Sequence, residues 1–335
     1  MPDQQFLAQH SQLLDGKRVR SYWYGREPRL CEHTVHMTAI LSIDVGTTSL
    51  KGVLFDVLGN ALAVEVEEYG LQKPAPDIVE CDPDLYWEAG KKVVRNLLHK
   101  SRRKAQDIRS VGVTSQGETL IVVDAGGRVL RPAIVWLDNR SQAEAEEIGR
   151  HFDIRNNCWW EEMLQFLAIS QEQLPELKYS GEFSCPISAE AARATGLSAE
   201  TTVTTAPIDQ IAGAIGAGNL KPGIVSETTG AALAICATCD QPTYDPAKKI
   251  PCHTHGARGK FSLLAWAPTG GMALRWFRDE FGGRAGYPEL CAAARDIPPG
   301  AAGLLVLPYL SGAGCPEMRK RSPDMPRITP PQRTA

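Results

Sequence analysis

The sequence predicts a layered α/β protein of two related lobes, and three observations carry that prediction. Three strand patterns with short links run from Ala39 to Glu67. An amphipathic helix pattern follows at 82–104, and a second strand–turn–strand device at 224–237 repeats the layout of the first. The 335 residues are enough for one large domain or two ordinary ones, each with a core of its own.

Taken in order, residues 1–36 are polar and aperiodic apart from SYWYGREPRL, and read as an appended segment expected to be poorly ordered. AILSIDVG, from Ala39, is an apolar strand, and SLKGVLFD is a second, with a turn at Leu58-Gly59-Asn60. ALAVEVEEYG sets Leu62, Val64 and Val66 against Ala63, Glu65 and Glu67, the alternation of a half-exposed strand. Asp82 is a good N-cap and Pro83 suits the first helical position. Tyr86, Ala89, Val93 and Leu97 then fall at helical spacing, and the basic tail 99–104 suits the negative end of the helix dipole. IRSVGVTSQ and TLIVVD read as strands, with Gly126-Gly127 as a turn, and Ser141 to Glu144 has capping-box spacing.

At 153–160 the pattern breaks, with neither strand nor turn chemistry. Trp159, Met163 and Phe166 begin a new helical pattern, Ser170 to Gln173 repeats the capping-box spacing, and Ser188 and Gly196 bracket a short helix. TTVTTAPID is a strand, and IVSETTG and AALAICA form a pair. The helix MALRWFRDEFGG follows SLLAWAPTGG, and GLLVLPYL is a last strand. The tail from Met318 is Pro-rich and basic and is expected to be disordered. The resulting division is an extension at 1–36, lobes at 37–205 and 206–317, and a tail at 318–335.

Composition excludes several functions. Net charge is -3 with no basic stripe, which argues against nucleic acid or an anionic membrane surface as partner. No apolar run reaches the length of a membrane span, and the N-terminus has no secretory pattern. The 9 scattered cysteines fit reduced thiols in the cytoplasm better than a disulfide framework. GxxxxGK[ST] is absent, and G-A-I-G-A-G is not the dinucleotide fingerprint. Cys236, Cys239, Cys252, His253 and His255 suffice for zinc by number, but no second clean pair supports a site. Trp159-Trp160 and Trp276-Phe277 at helical positions read as core.

Three segments carry chemistry. In IDVGTTSLK a strand ends in Asp44 and passes into Gly46, Thr47, Thr48 and Ser49. Glycine permits a tight turn, and small hydroxyl residues leave backbone N–H groups free to grip phosphate oxygens. Asp44 is placed to hold a magnesium ion through water, and a plain polar hairpin is the alternative. SETTGAAL repeats the device, so that two such turns could clamp a triphosphate across a cleft. In APIDQIAGAIGAG, Asp209 joins a strand to an Ala/Gly-rich helix whose dipole favours the ionised carboxylate. An ionised Asp there can take a hydroxyl proton as the oxygen attacks phosphorus; the alternative is an N-cap.

IDVGTTSLKGVLFD, GVTSQGETLIVVDAGGRVLRPAIVWLDNR, DQIAGAIGAG, SETTGAALAI and PTGGMALRWFRDEFG together resemble the FGGY carbohydrate kinases, the group with xylulokinase, gluconokinase and glycerol kinase. The likeness covers most of 37–317. It implies a ribonuclease H-like (actin-like ATPase) α/β fold, two lobes with the second incomplete, and an ATP- and Mg2+-dependent kinase acting in the cytoplasm on a small sugar or polyol. Carried over by residue, it implies that Asp44 organises the metal and that Asp209 is the catalytic base. Thr47, Thr48 and Ser49 would meet the phosphates, and Thr228, Thr229, Gly230, Gly270 and Gly271 would line the nucleotide. The sugar would lie near Gln116, Gly117, Glu118, Trp136, Asp138 and Gln210. Gly117 stands where glycerol kinases carry arginine, which favours a pentulose over glycerol. A homodimer is compatible with the resemblance.

The chain departs from the family in two places. Asn156-Asn157 runs almost directly into Trp159, where the family has several further elements, and only 318–335 follow the segment LPYLSGAGCPE. The expectation is an internally deleted and C-terminally shortened kinase with open sheet edges and exposed apolar faces. A catalytically inactive remnant that at most binds sugar or nucleotide is the second reading. An actin-like ATPase is the third, disfavoured because DQIAGAIGAG and SQGET belong to the sugar branch.

Overall fold

The computed structural model describes residues 38–75, 77–141, 161–243, 245–247, 249–283, 285–304, 306 and 315. The expected extension at 1–36, the helix after Ser141, Trp159-Trp160 and the tail from 318 lie outside them. From residue 37 onward the chain clusters as one compact unit.

The first sheet has six strands in the order β3-β2-β1-β6-β9-β8. The meander is antiparallel: β1 (Ala39–Val45), β2 (Ser49–Asp56) and β3 (Ala61–Glu68). Its second turn closes on Asp56, whose Oδ1 accepts from the Leu58 and Asn60 N–H groups, while Gly59 takes φ +87. β4 (Gln72–Ala75) and β5 (Ile78–Cys81) lead into α1 (Pro83–Ser101). Asp82 caps α1 by accepting from the Asp84 N–H, and Pro83 opens it. β6 (Ile108–Ser115) then returns parallel to β1. The two-residue β7 (Ala133–Ile134) joins β5 in a small separate sheet.

The helix α1 covers one face of the large sheet. Leu41, Leu50, Leu54, Val93, Val94, Leu97 and Ile108 are all buried between them. Gly52 is required for that contact. A Cβ there would stand 2.4 Å from Val93 Cγ1 and 2.7 Å from Leu97 Cδ1.

β3 inverts its expected faces. Val64 and Val66 are 38% and 43% exposed, while Glu65 and Glu67 turn toward the helix. Register is the cause: Ala63 pairs with buried Leu54, so residues 65 and 67 share the helix-facing side. There α1 presents Lys92, Asn96 and Lys100, spaced four apart. Lys92 meets Glu67 at 2.7 Å, and Asn96 and Lys100 both reach Glu65. Exposed pairs of this kind contribute about 0.5 kcal/mol each, so apolar burial holds the layer and the charges orient it.

TLIVVD forms no regular strand. Isolated bridges pair Leu120 with Ile134 and Val123 with Val129, leaving a loose arm with exposed Leu120, Ile121 and Val123. α2 (Glu161–Phe166) is short and buries nothing, and the expected capping box at Ser170 closes a 3-10 turn at 171–173. β8 (Phe183–Pro186) and α3 (Ala189–Thr195) follow, the helix capped by Ser188 and stopped by Gly196 at φ +81. β9 (Thr202–Thr205) lies parallel to β6.

α4 (Asp209–Gly216) joins the two large sheets, packing on β6 as well as on β10 (Val225–Thr229) and β11 (Leu233–Cys239). With β12 (Cys252–Thr254) and β13 (Phe261–Ala267) these make an antiparallel sheet in the order β10-β11-β13-β12. Fully buried Asn219 pins the end of α4 to this sheet. Its Nδ2 donates to Ser226 Oγ and to the Cys236 carbonyl, and its Oδ1 accepts from Thr238.

α5 (Gly271–Phe281) and α6 (Tyr287–Arg295) complete the described chain and bury no residue. The core reading of Trp276-Phe277 is therefore corrected. Phe277 is exposed, and Trp276 packs edge-on to Phe281 of its own helix. The strand expected at 303–310 falls largely outside the described residues, and Leu304 and Val306 are in none. Among the described residues no helix is long and apolar enough to cross a membrane.

Gly52→Ala is expected to lower folding stability by about 2 kcal/mol, because the new methyl overlaps two packed side chains. Urea unfolding at equilibrium measures it as a lower midpoint with an unchanged slope.

Candidate functional site

The parallel pairing of β1 with β6 and of β6 with β9 brings three strand ends, Val45, Ser115 and Thr205, to one edge of the sheet. The loops leaving such an edge diverge and open a crevice. Two bonds hold these loops in register. The Gln116 N–H donates to the Val45 carbonyl at 2.9 Å, and the Thr114 hydroxyl donates to the Pro207 carbonyl at 2.6 Å.

The first loop is the 46–48 turn. The Gly46 N–H donates to the Ser49 carbonyl at 3.0 Å, and a Cβ at residue 46 would lie 2.9 Å from that same oxygen, so only glycine fits. The Tyr69 hydroxyl donates to the Gly46 carbonyl, and its N–H donates to the Thr48 carbonyl at 3.0 Å. Burial pushes the Tyr69 phenol far up, so it remains a donor. Thr47 is only 8% exposed, and its hydroxyl accepts from Trp136 Nε1 at 2.9 Å.

Asp209 is the first residue of α4, not its N-cap. Ile208 holds the cap position without a side-chain bond, and Asp209 Oδ1 accepts from the Gln210 N–H at 2.9 Å. Burial raises its carboxyl to about 6, the Gln210 hydrogen bond works against the rise, the Asp44 charge adds to it, and Lys51 opposes it. Asp44 Oδ2 lies 3.6 Å from Lys51 Nζ, while Asp44 Oδ1 is buried with no hydrogen-bond partner. A divalent cation fits this arrangement, with one orphaned carboxylate oxygen beside a second carboxylate. Among the described residues no three His, Cys, Asp or Glu side chains gather as ligands, so water and phosphate oxygens would complete a magnesium shell.

The second lobe supplies the other turn. The Gly230 N–H donates to the Ala232 carbonyl, Gly270 to Ala231 and Gly271 to Gly230, all within 2.9 Å. A Cβ on Gly270 or Gly271 would come within 2.7 Å of backbone, so the two loops interlock only as glycine. Thr228 lies against Gly213, one turn along α4 from Asp209, and the Thr229 hydroxyl bonds Glu227. The Thr269 hydroxyl is buried without a partner.

The residues expected around the sugar divide. Gln116 is 6% exposed; its Nε2 donates to the Tyr86 hydroxyl at 3.2 Å and its Oε1 has no partner. A Cβ on Gly117 would lie 3.6 Å from Ile208, and Glu118 takes the left-handed backbone at φ +63. Asp138 has other partners. Its oxygens accept from the Val79 N–H at 2.7 Å and from the Arg140 guanidinium at 2.6 and 2.8 Å, which holds its carboxyl down at about 2. Asp138 therefore anchors the chain around β5.

Two residues outside the expected set join the site. Trp266 meets Trp136 edge-to-face, with ring centroids 5.8 Å apart at 84°. Burial lowers the pKa of His253, and the charge of nearby Glu118 draws it back up. His255, grouped with a zinc option by number, is instead tied at 3.1 Å to the Asn219 carbonyl. Neither Trp266 nor His253 has a local sequence signal for its neighbour, since each contact runs from a strand of the second sheet to a turn more than a hundred residues earlier.

The model of the FGGY family of carbohydrate kinases, N-terminal domain, matches residues 39–152 and 149–216. The two matched stretches meet beside the segment where family elements are missing. Among curated relatives, the xylulose kinase of Lactococcus lactis is 24% identical, covering 84% of this chain and 69% of that protein. The glycerol kinase of Thermococcus onnurineus is 26% identical over 83% of this chain and 70% of its own. Among solved structures, the ligand-bound xylulose kinase of Lactobacillus acidophilus superposes with a TM-score of 0.73 at 21% identity, covering 84% of this chain and 71% of that one.

The raised carboxyl of Asp209 has a consequence for stability. A folded-state pKa above the unfolded 3.8 means the native chain binds this proton more tightly. Its stabilising contribution is full below 3.8 and is lost as pH rises through about 6. Asp209→Asn is therefore expected to melt above the wild type at pH 8, with the gap closing toward pH 4, as calorimetry across that range would measure.

Proposed function

The chain belongs to the FGGY family of carbohydrate kinases, and on that premise we propose that it phosphorylates a hydroxyl of a small sugar or polyol at the expense of ATP, with Asp209 as general base. One observation carries the assignment: Asp209 is a half-buried carboxylate, its pKa raised to about 6, beside Asp44 and one helical turn from the glycine-rich turn of the second lobe.

In this reading the acceptor hydroxyl, near Gln116, Gly117, Glu118, Trp136 and Gln210, hydrogen-bonds to Asp209. As its oxygen bonds to the γ-phosphorus, the proton passes to Asp209 and the bond to the β–γ bridging oxygen breaks, releasing ADP. Thr47, Thr48 and Ser49 meet phosphate oxygens from one lobe, and Thr228, Thr229, Gly230, Gly270 and Gly271 line the nucleotide from the other, the glycines by close approach because their N–H groups are committed to backbone carbonyls. Asp44 would hold magnesium through water; magnesium supplies neutralising charge on the phosphates when bound. Gly117, whose Cβ position would be in contact with Ile208, carries no arginine side chain into the site, which supports a pentulose over glycerol. The free thiols among the described cysteines support a cytoplasmic setting.

A second reading, an inactive remnant that at most binds sugar or nucleotide, is favoured by a separate observation: α5 and α6 bury nothing, and Leu274, Phe277 and Phe281 are exposed. Magnesium and ATP together are expected to raise the melting temperature; no shift, with dye bound to exposed apolar surface, supports the remnant.

Asp209→Asn is expected to cut ADP release with D-xylulose by about 10³-fold. Wild-type turnover should fall about tenfold per pH unit below the Asp209 value of about 6 and level off above it. Coupled ADP release from pH 4.5 to 8 measures both, and near-wild-type turnover in the variant removes Asp209 as base.

A further inference from the structure

The indole of Trp136 is fixed at two points. Its Nε1–H donates to Thr47 Oγ1 at 2.9 Å, and its ring receives Trp266 at 5.8 Å and 84°. Thr47 belongs to the phosphate turn of the first lobe. Trp266 belongs to the second. It is the penultimate residue of β13, pairs with buried Ala234, and precedes Thr269 and the Gly270-Gly271 turn by a few residues. Trp266 alternates with buried Ser262 and Leu264 on the face that packs on α4, and it extends that face past the core to reach Trp136. Its carbonyl accepts from the Cys315 N–H at 3.0 Å, so the strand end is itself tied down.

With its donor committed to Thr47, Trp136 has only apolar surface to offer a sugar. The position of that surface depends on what stands behind the ring. Indole pairs favour edge-to-face contact, and Trp266 supplies that contact from the opposite lobe. We propose that Trp266 is a positioning residue: it buttresses Trp136 across the cleft, so that the wall against the sugar is completed only when the second lobe's glycine turn is in place. The inference rests on the kinase reading for its substrate. It adds that sugar and nucleotide binding are coupled through the two indoles, each ligand strengthening the other by the same factor.

The test uses the full chain with ATP as donor and D-xylulose as acceptor. Trp266→Leu is expected to raise the D-xylulose KM about tenfold and the ATP KM at saturating D-xylulose with it, with kcat within about twofold, and Trp266→Phe is expected to recover part of the loss. The far-ultraviolet exciton couplet of the paired indoles should disappear in Trp266→Phe and in Trp136→Phe alike. In the wild type, ADP should tighten D-xylulose binding, followed through that couplet, and in Trp266→Phe, followed by calorimetry, the tightening should shrink. An unchanged D-xylulose KM in Trp266→Leu overturns the proposal. Should that variant not fold, an unreduced ADP effect in Trp266→Phe overturns it instead. A wild type without turnover sinks the kinase reading separately. The proposal then stands if D-xylulose alters the wild-type couplet and ADP enhances the change, and falls if it does not.

Discussion

Parallel pairing of β1, β6 and β9 is the constraint on which the rest of the site depends. Asp44 sits within β1, Gln116 directly follows β6, and Asp209 begins the helix after β9. These residues are far apart in sequence, and only strands running the same way can end side by side. The antiparallel β2 and β3 extend the sheet, and the end of β3 returns to that edge, where Tyr69 braces the 46–48 turn. They contribute Lys51, opposite Asp44 across the β1–β2 pair, and the support for α1 on the far face.

The second constraint is the close approach of α4 to both sheets. Its small residues let β10 come near enough for Thr228 to rest on Gly213. Close packing of this kind buries backbone and polar groups, which costs free energy unless they are paired. The chain meets that cost at one end of α4 and not at the other. At the C-terminal end Asn219 satisfies Ser226, Thr238 and the Cys236 carbonyl in a closed network. Toward the N-terminal end, Asp44 Oδ1, Gln116 Oε1 and Thr269 Oγ1 are buried without partners. Unpaired buried polar atoms are rare in stable cores and gather where a ligand completes them.

Much of the fold was legible because its local chemistry is explicit. Asp82 with Pro83, and Ser188 with Gly196, mark helix ends through backbone bonds that the sequence alone predicts. The turns at 46–49 and 227–230 announced themselves through glycine flanked by small hydroxyl residues. What escaped was decided at a distance. Alternation in β3 showed two faces, but only pairing with Leu54 chose the glutamate face for the helix. TLIVVD has strand composition, yet its arm pairs with little beyond its own return. Asp138 has the chemistry to meet a sugar, and the Arg140 guanidinium that folds back onto it, two residues on, has no sequence signal. Trp266 gives no signal, because its partner lies in a turn 130 residues earlier in the chain.

Charge then explains why a cleft so built is costly to keep and suited to its chemistry. Two carboxylates, Asp44 and Asp209, share a partly buried space with the partly exposed Lys51; burial raises the Asp209 carboxyl, and the Asp44 charge adds to the rise. Adding a polyphosphate brings further negative charge into the same space. In the proposed reaction a cation arriving with the nucleotide would offset that sum. That burden of burial and like charge makes Asp209, as the proposed base, stronger than an exposed aspartate, and a stronger base is what accepting a hydroxyl proton requires. Relieving it with asparagine or a closer cationic side chain would favour the fold and remove the property that the site is arranged to hold.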